Sequence, residues 1–317
     1  MQKQSKIYIA WHNWLVGGAI LKKLQSEWYI NLIYKTHEEL DLMDQKATKI
    51  FFETEKPEYV FLAAAKVWGI GAITTYPADF IYQNLQIQNN VIYNSYASWV
   101  KKLLFLGSSC IYPKACPQPI KEEYLLTSKL EPTNEPYSIA KIAWIKICQS
   151  YNRQYGTNFI SCMPTNLYWP WDNFDLHNSH VLPWMMRKFH EAKINNISEV
   201  ILWWDWTPYR EFLYVGDMAD ACIFLMENFN PTKEQNEEWD IFFNIGTWKD
   251  ITIKELAELM KKITGYEGKI TWDTSKPNGT PRKLLDVSKL EKIWRHYTTD
   301  LEEGILKAYT FYLKNYT

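Results

Sequence analysis

The chain has 317 residues, 47% of them hydrophobic and 22% charged, with a formal net charge of −1, enough for one large core or two medium ones. This balance gives no basic footprint for nucleic acid or an anionic membrane, and no apolar run reaches the roughly 20 residues needed to cross a bilayer. The five cysteines, Cys110, Cys116, Cys148, Cys162 and Cys222, are odd in number and lack C-x-x-C metal spacing; with no signal-peptide pattern, the expectation is a reduced, cytoplasmic protein without a metal.

Lys6-Ile7-Tyr8-Ile9-Ala10 reads as a first buried strand and Leu15 to Gln25 as the helix after it. The turn between them is Trp11-His12-Asn13-Trp14-Leu15-Val16-Gly17, where a nucleotide-binding βα turn carries G-x-x-G-x-x-G. The first two glycines of such a turn let the backbone approach a pyrophosphate, and the third lets helix and strand pack. Only Gly17 is present; taken literally, two indoles fill the space a pyrophosphate needs. Tyr29 to Tyr34 reads as a second strand, followed by Lys35-Thr36-His37. A carboxylate at that point would favour NAD, whereas Lys35 and His37 suit a 2′-phosphate and hence NADP, or, for the lysine, simply a solvated loop. Asp41 and Leu42 lie where a side chain can meet an adenine.

Gln45 to Thr54 is a predicted helix, Tyr59 to Leu62 a third strand running into Ala63-Ala64-Ala65-Lys66, and Phe80 to Trp99 a long helix. Leu103 to Leu106 is a further strand, ending in Gly107-Ser108-Ser109-Cys110, and Asn134 to Tyr155 the next helix. Strands and helices alternate, which argues an α/β fold: a doubly wound parallel sheet of Rossmann type with ligands at the carboxyl ends of its strands. Phe159 to Met163 continues it. Beyond Pro164 the texture turns polar and Pro-broken, with helices predicted at 181–192, 217–227, 253–264 and 301–313, strands at 200–203 and 242–246, and a charged loop at 233–238. Residues 1–165, with a return segment near 211–247, are expected to bind the dinucleotide, and 166–317 to form mainly a smaller mixed α/β substrate domain.

The chemistry-bearing stretch is Glu135-Pro136-Tyr137-Ser138-Ile139-Ala140-Lys141. Tyr137 and Lys141 are four apart on a predicted helix and share a face. An ammonium beside a phenol favours the phenolate and lowers the tyrosine pKa towards that of a working general acid. A serine at the preceding strand end can share the Tyr137 proton. Strand-borne serines followed by Tyr-x-x-x-Lys on a helix is the constellation of short-chain dehydrogenase/reductases.

Blocks along the whole chain carry a closer likeness: LLFLGSSCIYP at 103–113, EPTNEPYSIAK at 131–141, SYNRQYG at 150–156, MPTNLY at 163–168, NSHVLP at 178–183, PYREF at 208–212 and SKPNGTPRKLLD at 275–286. They resemble the GDP-L-fucose synthase family, extended short-chain dehydrogenase/reductases that convert GDP-4-keto-6-deoxy-D-mannose to GDP-L-fucose with NADPH. The resemblance implies Ser108, Tyr137 and Lys141 as a reductase triad and Cys110 with His180 as an acid/base pair. It implies cofactor contacts from Trp11, His12, Asn13, Trp14, Leu15, Val16 and Gly17, from Leu106, Gly107, Ser108 and Ser109, from Pro164, Thr165, Asn166 and Leu167, and from Lys141 and His180, with Lys66 at the rim. Lys188, Trp203, Arg210 and Asp273 are implied to hold the GDP-sugar, and the Phe80–Trp99 and Asn134–Tyr155 helices to form a homodimer. The family usually has Arg where this chain has Asn13, which weakens the grip on the 2′-phosphate and leaves more of it to Lys35 and His37.

The residue types suit that chemistry. A ketone at C4 acidifies C3 and C5, so epimerisation needs one group to take a proton and one to return it, and perturbed Cys110 and His180 titrate in the right range. Blander readings stand beside it: Cys110 as a small buried hydrophobe, His180 as a loop histidine, Arg210 paired with Glu211, Trp203 as core. Rival functions are a nucleotide-sugar 4-epimerase retaining NAD, and a non-catalytic relative if the indoles at 11 and 14 are real.

The chain has 16 Trp and only 12 Gly, although glycine is ordinarily among the commonest residues. Tryptophan stands where the family has glycine at Trp11, Trp14, Trp28, Trp68, Trp99, Trp144, Trp169, Trp204, Trp206, Trp248 and Trp294, while Trp203 reads as genuine and Trp171, Trp184, Trp239 and Trp272 are ambiguous. A one-way exchange of the smallest residue for the largest suggests a gene whose UGA codons mean glycine, translated with a table that reads them as tryptophan.

Overall fold

The computed structural model describes residues 1–66, 70–176, 179–203, 206–275, 280–294 and 297–316; Trp68, His177, Asn178, Trp204 and residues 276–279 of the SKPNGTPRKLLD block lie outside the described residues. Its strands are β1 (Ile7–Ala10), β2 (Leu32–Ile33), β3 (Tyr59–Leu62), β4 (Lys102–Leu106), β5 (Phe159–Pro164), β6 (Asn166–Tyr168), β7 (Glu199–Trp203), β8 (Tyr209–Tyr214), β9 (Phe242–Ile245), β10 (Asp250–Thr252), β11 (Lys269–Asp273) and β12 (Arg282–Lys283). The helices are α1 (Leu15–Ser26), α2 (Gln45–Glu55), α3 (Ile70–Thr75), α4 (Pro77–Ala97), α5 (Glu135–Tyr155), α6 (Val181–Ile194), α7 (Val215–Asn228), α8 (Lys233–Glu237), α9 (Ile253–Thr264), α10 (Ser288–Glu291) and α11 (Leu301–Tyr316).

Near-continuous apolar runs make strands that are buried on both faces, the signature of a parallel sheet covered by helices. Six such strands pair in the order β2-β1-β3-β4-β5-β9, all parallel, with Ile7 opposite both Leu32 and Tyr59 and Cys162 opposite Phe243. Alternation along each strand splits the core in two. Ile7, Ile9, Phe61 and Leu104 pack under α1 and α7, while Tyr8, Val60, Leu103 and Phe105 pack under α2, α4 and α5. The chain leaves β1 to one side for β2 and crosses back for β3, so the topological switch point falls between the carboxyl ends of β1 and β3, where open α/β sheets bind ligands.

The smaller layer is built on β8, which pairs parallel with β6 and β12 and antiparallel with β10; β7 pairs with β11. Its core gathers Met185, Met186 and Phe189 of α6, Leu256 and Met260 of α9, and Ile305 of α11. Among the described residues no helix is long and apolar enough to cross a membrane.

Several sequence expectations are corrected. The second strand, expected over 29–34, is only Leu32–Ile33, because Tyr29 turns into the core where the chain leaves α1 and its hydroxyl donates to Glu227. The expected loop at 233–238 is largely helical, started by a reciprocal capping box between Thr232 and Gln235. Asn166–Tyr168, read as loop, is a strand on β8.

The tryptophans take unusual backbone conformations. Among the described residues nine non-glycine residues have positive φ, and six of them are Trp11, Trp28, Trp99, Trp206, Trp239 and Trp248. Three of these close helices in one hydrogen-bond pattern. After α1 the Tyr29 amide donates to Leu24 O and that of Trp28 to Gln25 O; after α4 the Val100 amide donates to Ser95 O and that of Trp99 to Tyr96 O; after α8 the Asp240 amide donates to Gln235 O. This is the Schellman closure, whose left-handed residue is usually Gly and sometimes Asn. The same closure ends α9 with Gly265 at φ 68 and α6 with Asn196 at φ 50.

Candidate active site

The candidate residues collect at the carboxyl ends of the parallel strands. After β1 the chain turns through Trp11 at φ 58 and enters α1 with Trp14 at the N-cap; no side chain caps the helix and no acidic residue stands in its first turn. Uncapped first-turn amides and the positive end of the helix favour an anion. A Cβ on Gly17 would sit 2.3 Å from the Trp11 carbonyl oxygen, so the third motif glycine is required by the closeness of turn and helix. The main chain therefore fits a dinucleotide pyrophosphate. The side chains at 11 and 14 do not: their rings lie 5.3 Å apart over this turn.

Farther along, Lys35 lies 3.8 Å from Glu39, and His37 lies 3.8 Å from Asp41. The Asp41 carboxylate also accepts from the Met43 amide, and Leu42 is buried in the core, so the Leu42 side chain is not presented to an adenine as expected. Beyond β3, Lys66 is fixed by Asn84 of α4, whose side chain accepts from the Lys66 amide at 3.0 Å and donates to its carbonyl at 3.2 Å.

At the end of β4 the Leu106 carbonyl accepts a 2.7 Å bond from Lys141 Nζ, and the Gly107 amide donates to Cys162 O. The Ser108 hydroxyl accepts from the Cys110 amide and caps the short turn 109–111; Ser109 is buried. Pro136 in the first turn of α5 starts that helix, which presents Tyr137 and, one turn on, Lys141, 5% and 2% exposed, on one face. Cys110 packs against the cluster that holds Tyr137, and the phenol and the thiol act on each other electrostatically, with the Ser108 hydroxyl favouring the charged form of both. Sequence reasoning expected Lys141 to make Tyr137 acidic. Instead burial, then the Cys110 thiol, push the phenol well above its ordinary value, opposed by Ser108. Lys141 turns to the Leu106 carbonyl, its Nζ 5.7 Å from the Tyr137 ring centre, and burial lowers its own pKa to about 7.

Burial pushes the Cys110 thiol up, but the Lys283 ammonium, the Ser108 hydroxyl and the Arg210 guanidinium more than offset it, and the thiol lies below its ordinary value. His180 is exposed at the N-cap of α6, outside the Ser108 hydrogen bonds. Thr165 and Asn166 both donate to the Glu211 carbonyl, Pro164 ends β5, and Leu167 pairs with Leu213.

A second group lies on β7 and β11. Trp203 and Asp273 are register partners at the strand ends, Trp203 is 39% exposed rather than core, and its ring centre is 5.5 Å from that of Trp184. Lys188 donates to the Ile201 carbonyl and its ammonium lies over Trp184. Arg210 does not pair with Glu211, because successive strand residues face opposite ways. The Arg210 guanidinium donates to the Tyr209 carbonyl and its charge acts on Cys110, whereas Glu211, fully buried, accepts from the amides of Thr247, Trp248 and Leu285. Sequence reasoning gave no role to Asn84 or Lys283 and saw Glu211 only as a candidate partner of Arg210, since their actual partners are distant in the chain.

The NAD dependent epimerase/dehydratase family matches residues 13–246. GDP-L-fucose synthase 1 of Arabidopsis thaliana is 56% identical over 313 residues, covering 99% of this chain and 94% of that protein. The GDP-L-fucose synthase of Escherichia coli (strain K12) is 50% identical, covering 99% and 98%. Among solved structures, a GDP-D-glycero-L-gluco-heptose synthase from Campylobacter jejuni, crystallised in the presence of NADPH, superposes with a TM-score of 0.93 at 40% identity over 99% of each chain.

Proposed function

We propose a reaction for this chain on the premise that it belongs to the NAD dependent epimerase/dehydratase family and, within it, to the GDP-L-fucose synthases: the conversion of GDP-4-keto-6-deoxy-D-mannose to GDP-L-fucose with NADPH. The observation that supports it most is Cys110 packed against the cluster that holds Tyr137, with the Ser108 hydroxyl accepting from the Cys110 amide and favouring the charged form of both the phenol and the thiol, which sets a reductase acid beside an acid/base thiol.

NADPH, when bound, supplies the hydride to C4. The amides of Leu15, Val16 and Gly17 would hold its pyrophosphate, Lys35 and His37 would receive the 2′-phosphate, and residues 106–109 and 164–167 would line its nicotinamide end. Lys141, held at the Leu106 carbonyl, would also hold the nicotinamide ribose. Tyr137 delivers the proton to the C4 oxygen, with Ser108 fixing the hydroxyl. Cys110 and His180 remove and return protons at C3 and C5. Lys188, Trp203, Asp273 and Arg210 hold the GDP-sugar. Residues 1–165 with 211–247 serve the cofactor and the rest mainly the substrate.

The protein works in the cytoplasm as a homodimer through α4 and α5, whose outer faces expose Tyr82, Tyr93, Ile139 and Tyr155. The test is NADPH oxidation by the purified chain given GDP-4-keto-6-deoxy-D-mannose. Consumption with release of GDP-L-fucose is expected. Interconversion of C4 epimers without NADPH loss would replace the reading with a 4-epimerase, and failure to bind any nicotinamide nucleotide with a non-catalytic relative.

A further inference from the structure

The SKPNGTPRKLLD block contains a residue that the mechanism above leaves unused. Lys283 lies on β12, whose register sets it opposite Arg210 of β8, and partners in parallel strands project to the same side. Both cations act on Cys110, with Lys283 Nζ 3.4 Å from the sulfur. The other groups at the thiol are Ser108, which accepts from the Cys110 amide, and the Tyr137 phenol of α5. Lys114 and Glu131 line the adjoining cavity but pair with each other at 2.8 Å, and Cys116 lies near Lys283 as well.

We propose that Lys283 is the positioning residue that holds Cys110 as its thiolate, with Arg210 as the second cation. This rests on Cys110 acting as an acid/base group in the proposed reaction. A thiolate exchanges protons with carbon only while a cation keeps it charged inside a buried site. The bond from β12 therefore makes proton transfer depend on a segment remote from the Tyr137 helix.

The test titrates the thiol without turnover. In the wild-type chain, carbamidomethylation of the Cys110 peptide is followed by mass spectrometry against pH, with C110S as the blank. The midpoint is expected below the ordinary thiol value of about 8.5. K283M should raise it by about one unit and slow alkylation at neutral pH roughly tenfold, while K283R stays close to wild type. A wild-type midpoint at or above the ordinary value overturns the proposal even if K283M does not fold, and so does a folded K283M with an unmoved midpoint. A shifted midpoint in a chain whose C110S variant still makes GDP-L-fucose supports the Lys283 assignment and removes the catalytic reading instead.

A second inference rests on backbone geometry alone. We infer that the natural polypeptide has glycine at positions 11, 28, 99, 206, 239 and 248. All six are left-handed, and the closures at 28, 99 and 239 repeat the one made by Gly265. Trp28 and Trp99 are 80% and 86% exposed, so no packing accounts for an indole there. The geometry settles Trp239, which the sequence left ambiguous, and does not extend to Trp14, whose φ is −102. Sequencing the native-source tryptic peptides 7–22 and 24–35 by mass spectrometry, with the genomic codons, tests it. Glycine at 11 and 28 over UGA codons is expected; tryptophan at either overturns it.

Discussion

Replacing Trp28 and Trp99 by glycine is expected to stabilise the chain as written. Each residue sits at the left-handed position of a helix closure, a conformation that costs an L-residue with a Cβ roughly 1–2 kcal/mol and glycine almost nothing. The exposed indoles at both sites offer little burial to offset that. The two exchanges together should add about 2–4 kcal/mol. An unfolding entropy of about 2 cal/mol/K per residue over 317 residues turns this into a rise in melting temperature of about 3–6 °C. Calorimetry on the four chains with Trp or Gly at each position measures it, and the sites, in different helices, should add. N196G is the control, since asparagine already tolerates this conformation, and should gain much less. Glycine variants no more stable than the tryptophan chain would refute the reasoning.

Y137F should slow NADPH oxidation at least about 100-fold while C3 and C5 still exchange with solvent, read by deuterium uptake into the keto sugar; equal loss of both would merge the two functions. C110A should reverse the pattern, cutting exchange by about 10²–10⁴, followed by NMR. Lys141 titrates near pH 7 when folded and near about 10.4 when unfolded. Between those values the unfolded chain holds one more proton, so this group's contribution to stability rises with pH and is least favourable below about pH 7. K141M should therefore gain most over wild type in acid, with the gap narrowing towards about pH 10; a gap constant across that range, by urea unfolding, contradicts the burial argument.

Much of the frame was legible in the chain because it rests on local patterns. Ile7–Ala10, Tyr59–Leu62 and Phe159–Pro164 are apolar runs that only a doubly covered parallel strand explains, and Tyr137 and Lys141 share a face by helical spacing alone. The short strands Asp250–Thr252, Lys269–Asp273 and Arg282–Lys283 were not legible, since each is defined by a partner far away and carries no period of its own. The same distance hid Lys283 from Cys110 and Glu211 from the amides it holds. The electrostatics of Tyr137 misled for another reason: spacing places Lys141 nearby, but the Leu106 carbonyl, unseen in sequence, takes its ammonium.

The most direct test of the proposed reaction is to run it in deuterium oxide and read the product by NMR. Enolisation at both carbons followed by reduction predicts one NADPH consumed per GDP-L-fucose, with deuterium at C3 and C5 and none at C4. A reduced sugar with protium at both carbons and the starting configuration would contradict the account, because Tyr137 would then act alone and Cys110 and His180 would have no part.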